Sequence, residues 1–200
     1  MSSVEYKSFY PKTRSQWRKW LAKNHKSSPG IWMIYYKTQT GKRAFSMAVA
    51  VEEALCFGWI DSVARKLDDE RTLQKFTPRK PKSIWSKLNK ARVEKLIINH
   101  QMTDAGLAAM EKAKKNGSWD TLNESDYHAD TNSLPPDLEK ALNRNKAALE
   151  NFNAFPASYR RRFLFWIDSA KQSETRKQRV KQTFLMAKAN KKPGIKGFQL

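Results

Sequence analysis

The chain has 200 residues, 40% of them hydrophobic, with seven Trp, ten Phe and six Tyr; this suits one domain, or a domain with a smaller helical companion, and excludes a disordered chain. A formal net charge of +20 draws nucleic acid, anionic lipid or acidic metabolites from within a Debye length of about 8 Å but names none of them. The lone cysteine, Cys56, excludes an internal disulfide and a cysteine metal cluster and points to a reducing compartment.

No apolar run of signal-peptide length opens the chain, and no segment approaches the ~20 apolar residues of a membrane helix, so a cytoplasmic protein without integral membrane association is expected. Thr13-Arg14-Ser15-Gln16 has capping-box spacing and predicts a helix with Trp17, Trp20 and Leu21 on one side, stopped at Ser27-Ser28-Pro29-Gly30. Ile31 to Tyr36 is aromatic and β-branched between turn signals and predicts a strand. Ser46 caps a helix running to about Phe57, ended by Gly58. Ile60 to Phe76 predicts two antiparallel strands joined by the acidic turn Asp68-Asp69-Glu70, and Pro78 and Pro81, which cannot donate ladder bonds, turn FTPRKPKS into a constrained loop.

Ser83 or Ser86 caps the next helix, with Leu88, Val93, Leu96 and Ile97 inward and Lys87, Lys90, Arg92 and Lys95 outward. A further helix runs from Thr103 to Gly117. Acids outnumber lysines between Asp104 and Glu139, and Gly117 to Pro136 is polar and turn-rich. Pro135-Pro136, Asn145, Ser158 and Ser173 then read as helix starts, with Phe163, Trp166, Ile167 and Ala170 as an apolar face. The expected fold is α+β: a small antiparallel sheet with helices over 1–117, a polar linker over 118–136 and a basic, mostly helical region over 137–200.

Two blocks share one short segment: apolar ALCFGWIDS (54–62) and cationic FTPRKPKSIWSKLN (76–89). A proline-shaped loop with Arg79 as planar donor, Lys80 and Lys82 as point charges and Ser83 or Ser86 at a helix start can hold a phosphate or carboxylate. Trp59, Asp61, Ser62 and Trp85 are candidate walls of that site. The plainer reading is a solvated cationic loop, Arg79 bridged to Asp61 or Asp68, and both tryptophans in the core. Lys171, Arg176 and Arg179 join the candidate ligand set if the C-terminal helices fold over the loop. The basic helical faces around Arg160-Arg161-Arg162 and Arg176 suit nucleic acid or an anionic membrane surface as alternative partners. His25, His100 and His128 are dispersed and Cys56 sits among apolar neighbours, so no catalytic constellation, metal or cofactor is expected; an enzyme using Asp61 as base and Arg79 as stabiliser is the lesser alternative.

These motifs, with MTDAGL (102–107), WIDSAKQSETRKQR (166–179) and the Trp17–Leu21 and Asn24-His25 region, resemble the YdeI or OmpD-associated proteins, also called bacteriocin-protection proteins. His100 stands where that family usually has glycine. The resemblance implies a role in protection against bacteriocins or antimicrobial peptides and an association with an outer-membrane porin, and implies no particular reaction.

Overall fold

The computed structural model describes residues 6–194 and 198. The chain divides into two units, 1–120 and 121–200, each with its own buried apolar cluster.

In the first unit, β1 (Ser8–Phe9), β2 (Ile31–Tyr36), β3 (Trp59–Lys66) and β4 (Arg71–Pro78) form one sheet in the order β1-β2-β4-β3. The pairs β2–β4 and β3–β4 are antiparallel, and the β3–β4 hairpin turns where expected because the Asp68 carboxylate accepts from the backbone N–H of Glu70 and Arg71 at 3.0 and 2.6 Å. The short β1 runs parallel to β2. Two residues carry no periodicity, so only the neighbouring strand reveals it. Ile31, Met33 and Phe76 alternate onto the buried face.

Helix α1 (Arg14–Asn24) starts as its capping residues predict: the Thr13 hydroxyl accepts from Gln16 N at 3.1 Å, and the Gln16 carboxamide oxygen accepts from Lys12 N at 2.8 Å. Trp17 and Leu21 are fully buried, and the Trp17 indole N–H donates to Ala50 O at 3.0 Å, fastening α1 to α2 (Met47–Cys56). The Trp17 ring also meets Phe76 of β4 at 5.1 Å, so both helices lie on the buried face of the sheet. Glu53 of α2, 1% exposed, is clasped by Arg14 and by Arg18 at 2.7 Å, which supplies the pairing a buried carboxylate requires.

In α3 (Lys87–Ile98), Val93 and Leu96 are buried, but Leu88 and Ile97, expected inward, are 61% and 39% exposed. The helix packs on α2 through a narrow stripe, which two positions three residues apart suffice to fill. Lys90, expected outward, keeps only 13% of its side chain exposed, because its stem lies along Trp119 with the ammonium 5.6 Å from the ring centre. Helix α4 (Asp104–Lys115) docks on the end of α2 at Gly106, where a Cβ would stand 2.3 Å from the Cys56 carbonyl oxygen. Thr103 N and Oγ1 both donate to that same carbonyl, at 3.1 and 2.6 Å.

The second unit comprises α5 (Asn123–Thr131), α6 (Pro136–Leu142), α7 (Lys146–Ala154), α8 (Ala157–Asp168) and α9 (Ser173–Lys188). The stretch 118–136, expected as a linker, thus carries a helix. Two of its acids are used in packing: Arg161 of α8 pairs with Asp126 at 3.0 Å and with Asp130, while Ser125 and Ala129 are buried. Asn145 caps α7 by accepting from Ala148 N at 3.0 Å, and Pro136 opens α6, as expected. Ser158 and Ser173 instead lie inside their helices, with Pro156 and Gln172 at the cap positions; proline fixes a backbone angle that leads directly into the first turn. Phe163 and Ile167 are buried as predicted, and Trp166 stacks on Phe198 at 4.1 Å. Among the described residues no helix is long and apolar enough to cross a membrane.

Candidate functional site

In the first unit the two motifs meet at the backbone. Gly58, at φ +72°, closes α2 and turns the chain into β3; its carbonyl accepts from Arg79 N at 2.9 Å. A Cβ at this position would press on Ala105 O and Ala109 Cβ of α4 at 3.0 and 3.1 Å. Cys56 and Gly58 therefore hold α4 on one side and the Arg79 loop on the other. The loop is held from outside as well: Pro81 O accepts from Asn116 Nδ2 at 2.7 Å and Ser118 Oγ at 3.3 Å, and Ser83 N donates to Lys80 O at 2.9 Å.

Between loop and helix lies a cleft of about 210 Å³, lined by Arg79, Lys80, Pro81, Trp85, Ala108, Ala109 and Lys112. The Arg79 guanidinium lies 3.7 Å from the centre of the Trp85 ring, and Nη2 donates to Ile84 O at 2.8 Å. Its Nε is buried and has no acceptor. Burial pushes Arg79 down to about 10, against a smaller opposing pull from the Asp61 charge. None of the lining residues is acidic, so the cations of the cleft meet no counter-charge among them.

The predicted ligand residues are sorted by these contacts. Arg79, Lys80 and Trp85 line the cleft. Both tryptophans are 1% exposed in the core, but Trp59 does not line the cleft: it lies edge-on to Trp20 at 5.7 Å, with its indole N–H donating to His25 O at 3.1 Å. The first residue of β3 points to the buried face, and apolar burial decides the fate of an indole there. Asp61 acts on Arg79 only through its charge, and Ser62 is exposed on β3. Lys82 is exposed; Ser83 closes the loop turn, and Ser86 caps α3 by accepting from Asn89 N at 3.3 Å. The sequence reading missed Ala108, Ala109 and Lys112. Their one signal is spacing, since Ala108 and Lys112 share a helix face at i, i+4.

In the second unit Arg176 bonds Asp137 through Nε at 2.6 Å and Asp168 through Nη1 at 3.0 Å, which uses the donors expected to grip an anion. Arg179 donates to Ser169 Oγ at 2.8 Å and to Trp166 O, and Lys171 is exposed. Arg160 bonds Asn132 and Ala129 O, and Arg162 bonds Pro193 O at 3.0 Å and Gly194 O at 2.9 Å, so these arginines serve the fold of their own unit. A wider groove of about 610 Å³ between α6 and α9 has an apolar floor at Ala141, Val180 and Phe184, but its cations Lys140, Arg144, Lys177 and Lys181 are all exposed. Cys56 is buried, which pushes its thiol up and disfavours the thiolate. Among the described residues no group of His, Cys, Asp and Glu is placed to hold a metal ion.

Half of the chain, residues 9–109, matches a family described as a domain of unknown function, DUF8412. The chain belongs to that family. Residues 132–190 match a second family, described as bacteriocin-protection, YdeI or OmpD-associated. The DUF8412 match contains ALCFGWIDS, FTPRKPKSIWSKLN and MTDAGL and with them every residue lining the Arg79 cleft except Lys112; the YdeI match contains WIDSAKQSETRKQR and the Arg176 ion pairs. Comparison with curated proteins and with solved structures found no match.

Proposed function

We propose that the protein is a non-catalytic, cytoplasmic binding module of the bacteriocin-protection or stress type, which holds a phosphate- or carboxylate-bearing small molecule in the cleft between the Arg79 loop and α4. One observation carries this reading: a guanidinium stacked on a buried indole, with a buried N–H that lacks an acceptor, faces two lysines and no carboxylate in a cleft of about 210 Å³. A buried donor left unbonded costs about 1–3 kcal/mol, so an oxyanion that accepts from Arg79 gains more there than at a solvated lysine. Because the Arg79 side chain is already fixed by Trp85 and Ile84 O, little of its freedom is lost on binding. None of the lining side chains is a His, Asp, Glu, Ser or Cys, which favours binding over proton transfer. The single buried cysteine suits a reducing compartment.

The test is thermal unfolding against a panel of phosphorylated and carboxylated small molecules. A ligand at about 100 times its Kd raises stability by about 2.7 kcal/mol, a readily measured rise in Tm. Arg79→Ala is expected to abolish that rise, and Lys112→Ala to weaken it. A broad panel that never raises the Tm of the unaltered chain removes the reading.

A further inference from the structure

We propose that the outer face of the sheet in the first unit is a platform for single-stranded nucleic acid, with bases stacking on Trp32 and Tyr6 and phosphates meeting Arg65 and Lys75. This site is separate from the Arg79 cleft. Residues directly paired across antiparallel strands share a face, so the pairs Trp32–Lys75, Ile34–Leu73 and Arg65–Leu73 place these side chains together, opposite Ile31, Met33 and Phe76 of the core. Both α1 and α2 pack on the core face, through Trp17 against Phe76. Trp32, Ile34, Leu73 and Lys75 are half-buried and Arg65 is exposed.

The face interleaves rings and cations. The Arg65 guanidinium sits 4.9 Å from the Trp32 ring centre, and Lys75 Nζ stands 3.9 Å from that of Tyr6 and 5.9 Å from that of Trp32. Tyr6 is seated by a missing side chain: a Cβ on Gly30 would fall 2.5 Å from Tyr6 Cε1 and 2.9 Å from Thr77 Cγ2. An exposed cation–π contact is weaker than the stacking of a base on an aromatic ring, so a base can displace the cation, which then turns to the neighbouring phosphate. Charge narrows the platform to Arg65 and Lys75. At the hairpin end, Arg71 is paired with Asp68 at 2.6 Å and Lys42 with Glu70 at 2.8 Å. A single strand is the fitting partner because its base faces are open, whereas a duplex hides them in its own stack.

The experiment is fluorescence anisotropy of the full chain with a labelled oligothymidylate of about 12 nucleotides, within the site sizes of such platforms, and in parallel with labelled heparin, a polyanion without bases. At about 50 mM salt the oligonucleotide is expected to bind, and Trp32→Ala to weaken it about 10-fold while heparin affinity stays within about twofold. No binding at that salt, an unchanged affinity in Trp32→Ala, or an equal loss for both polyanions each overturns the proposal. If Trp32→Ala lowers the melting temperature, Arg65→Gln with Lys75→Gln carries the test. That pair should reduce the salt slope for the oligonucleotide by about 0.7 for each lost contact, and Lys19→Gln with Lys23→Gln on α1 should not; equal reductions for both pairs overturn the platform.

Discussion

His100 has φ +53°, a left-handed conformation that costs a side-chain-bearing residue about 1–2 kcal/mol. It is held there by the end of α3, where Gln101 N donates to Leu96 O at 2.9 Å and His100 N to Ile97 O at 3.0 Å, the paired bonds of a Schellman turn. Asn190 at φ +51° ends α9 in the same way, with Lys191 N donating to Met186 O at 2.8 Å. Only a residue without Cβ enters this region freely. His100→Gly should therefore raise stability, by about 0.5–1 kcal/mol after the extra chain entropy of glycine is offset, as a shift in the urea midpoint without change of slope. A lower midpoint would mean that the imidazole makes a contact worth more than the strain it imposes.

Helices α6, α8 and α9 are latched by one side chain, Arg176, held between Asp137 and Asp168. The bond from Arg176 holds the Asp137 carboxyl below the usual carboxylate range. Burial pushes Asp168 up and outweighs its own bond to Arg176. The two acids thus act oppositely on pH dependence. A depressed carboxyl contributes stability above its unfolded pKa of about 4 and loses it as pH falls through the folded value; a raised one contributes below that range and loses it as pH rises. Below about pH 4 the Asp137 contribution should therefore fade while that of Asp168 grows, and Asp137→Asn should lower stability at neutral pH and flatten the acid limb that Asp137 contributes, as read by circular dichroism across the pH range. An unchanged acid limb would take the latch out of the account.

Two apolar clusters, one around Trp17, Leu55, Trp59 and Phe76 and the other around Leu142, Phe152, Phe163 and Met186, divide the chain. Each is composed of residues from its own unit, so residues 121–200 made alone should fold, with a cooperative loss of helical ellipticity on heating; a non-cooperative melt would show that the helical unit needs residues 1–120. The α+β architecture was legible because its signals are local. Thr13, Ser46 and Asn145 cap helices through bonds to N–H groups three residues away, and Asp68 turns the hairpin through its immediate neighbours. The cleft was half legible, since Arg79, Lys80 and Trp85 lie in one compact motif whereas Lys112 and its alanines come from a helix about thirty residues on.

Composition, caps and turn residues settled most of the helices, the hairpin and the cationic loop, because each depends on bonds within a few residues, and missed α5, which has no side-chain cap. Folding settled the remainder. Trp59 and Trp85 both went into the core but only Trp85 came under Arg79, Asp126 and Asp130 became the surface on which Arg161 closes, and Trp32 was left on an open sheet among cations. The physical reason is that side chains of the same type are sorted by which face of an element is covered, and that depends on partners distant in the chain.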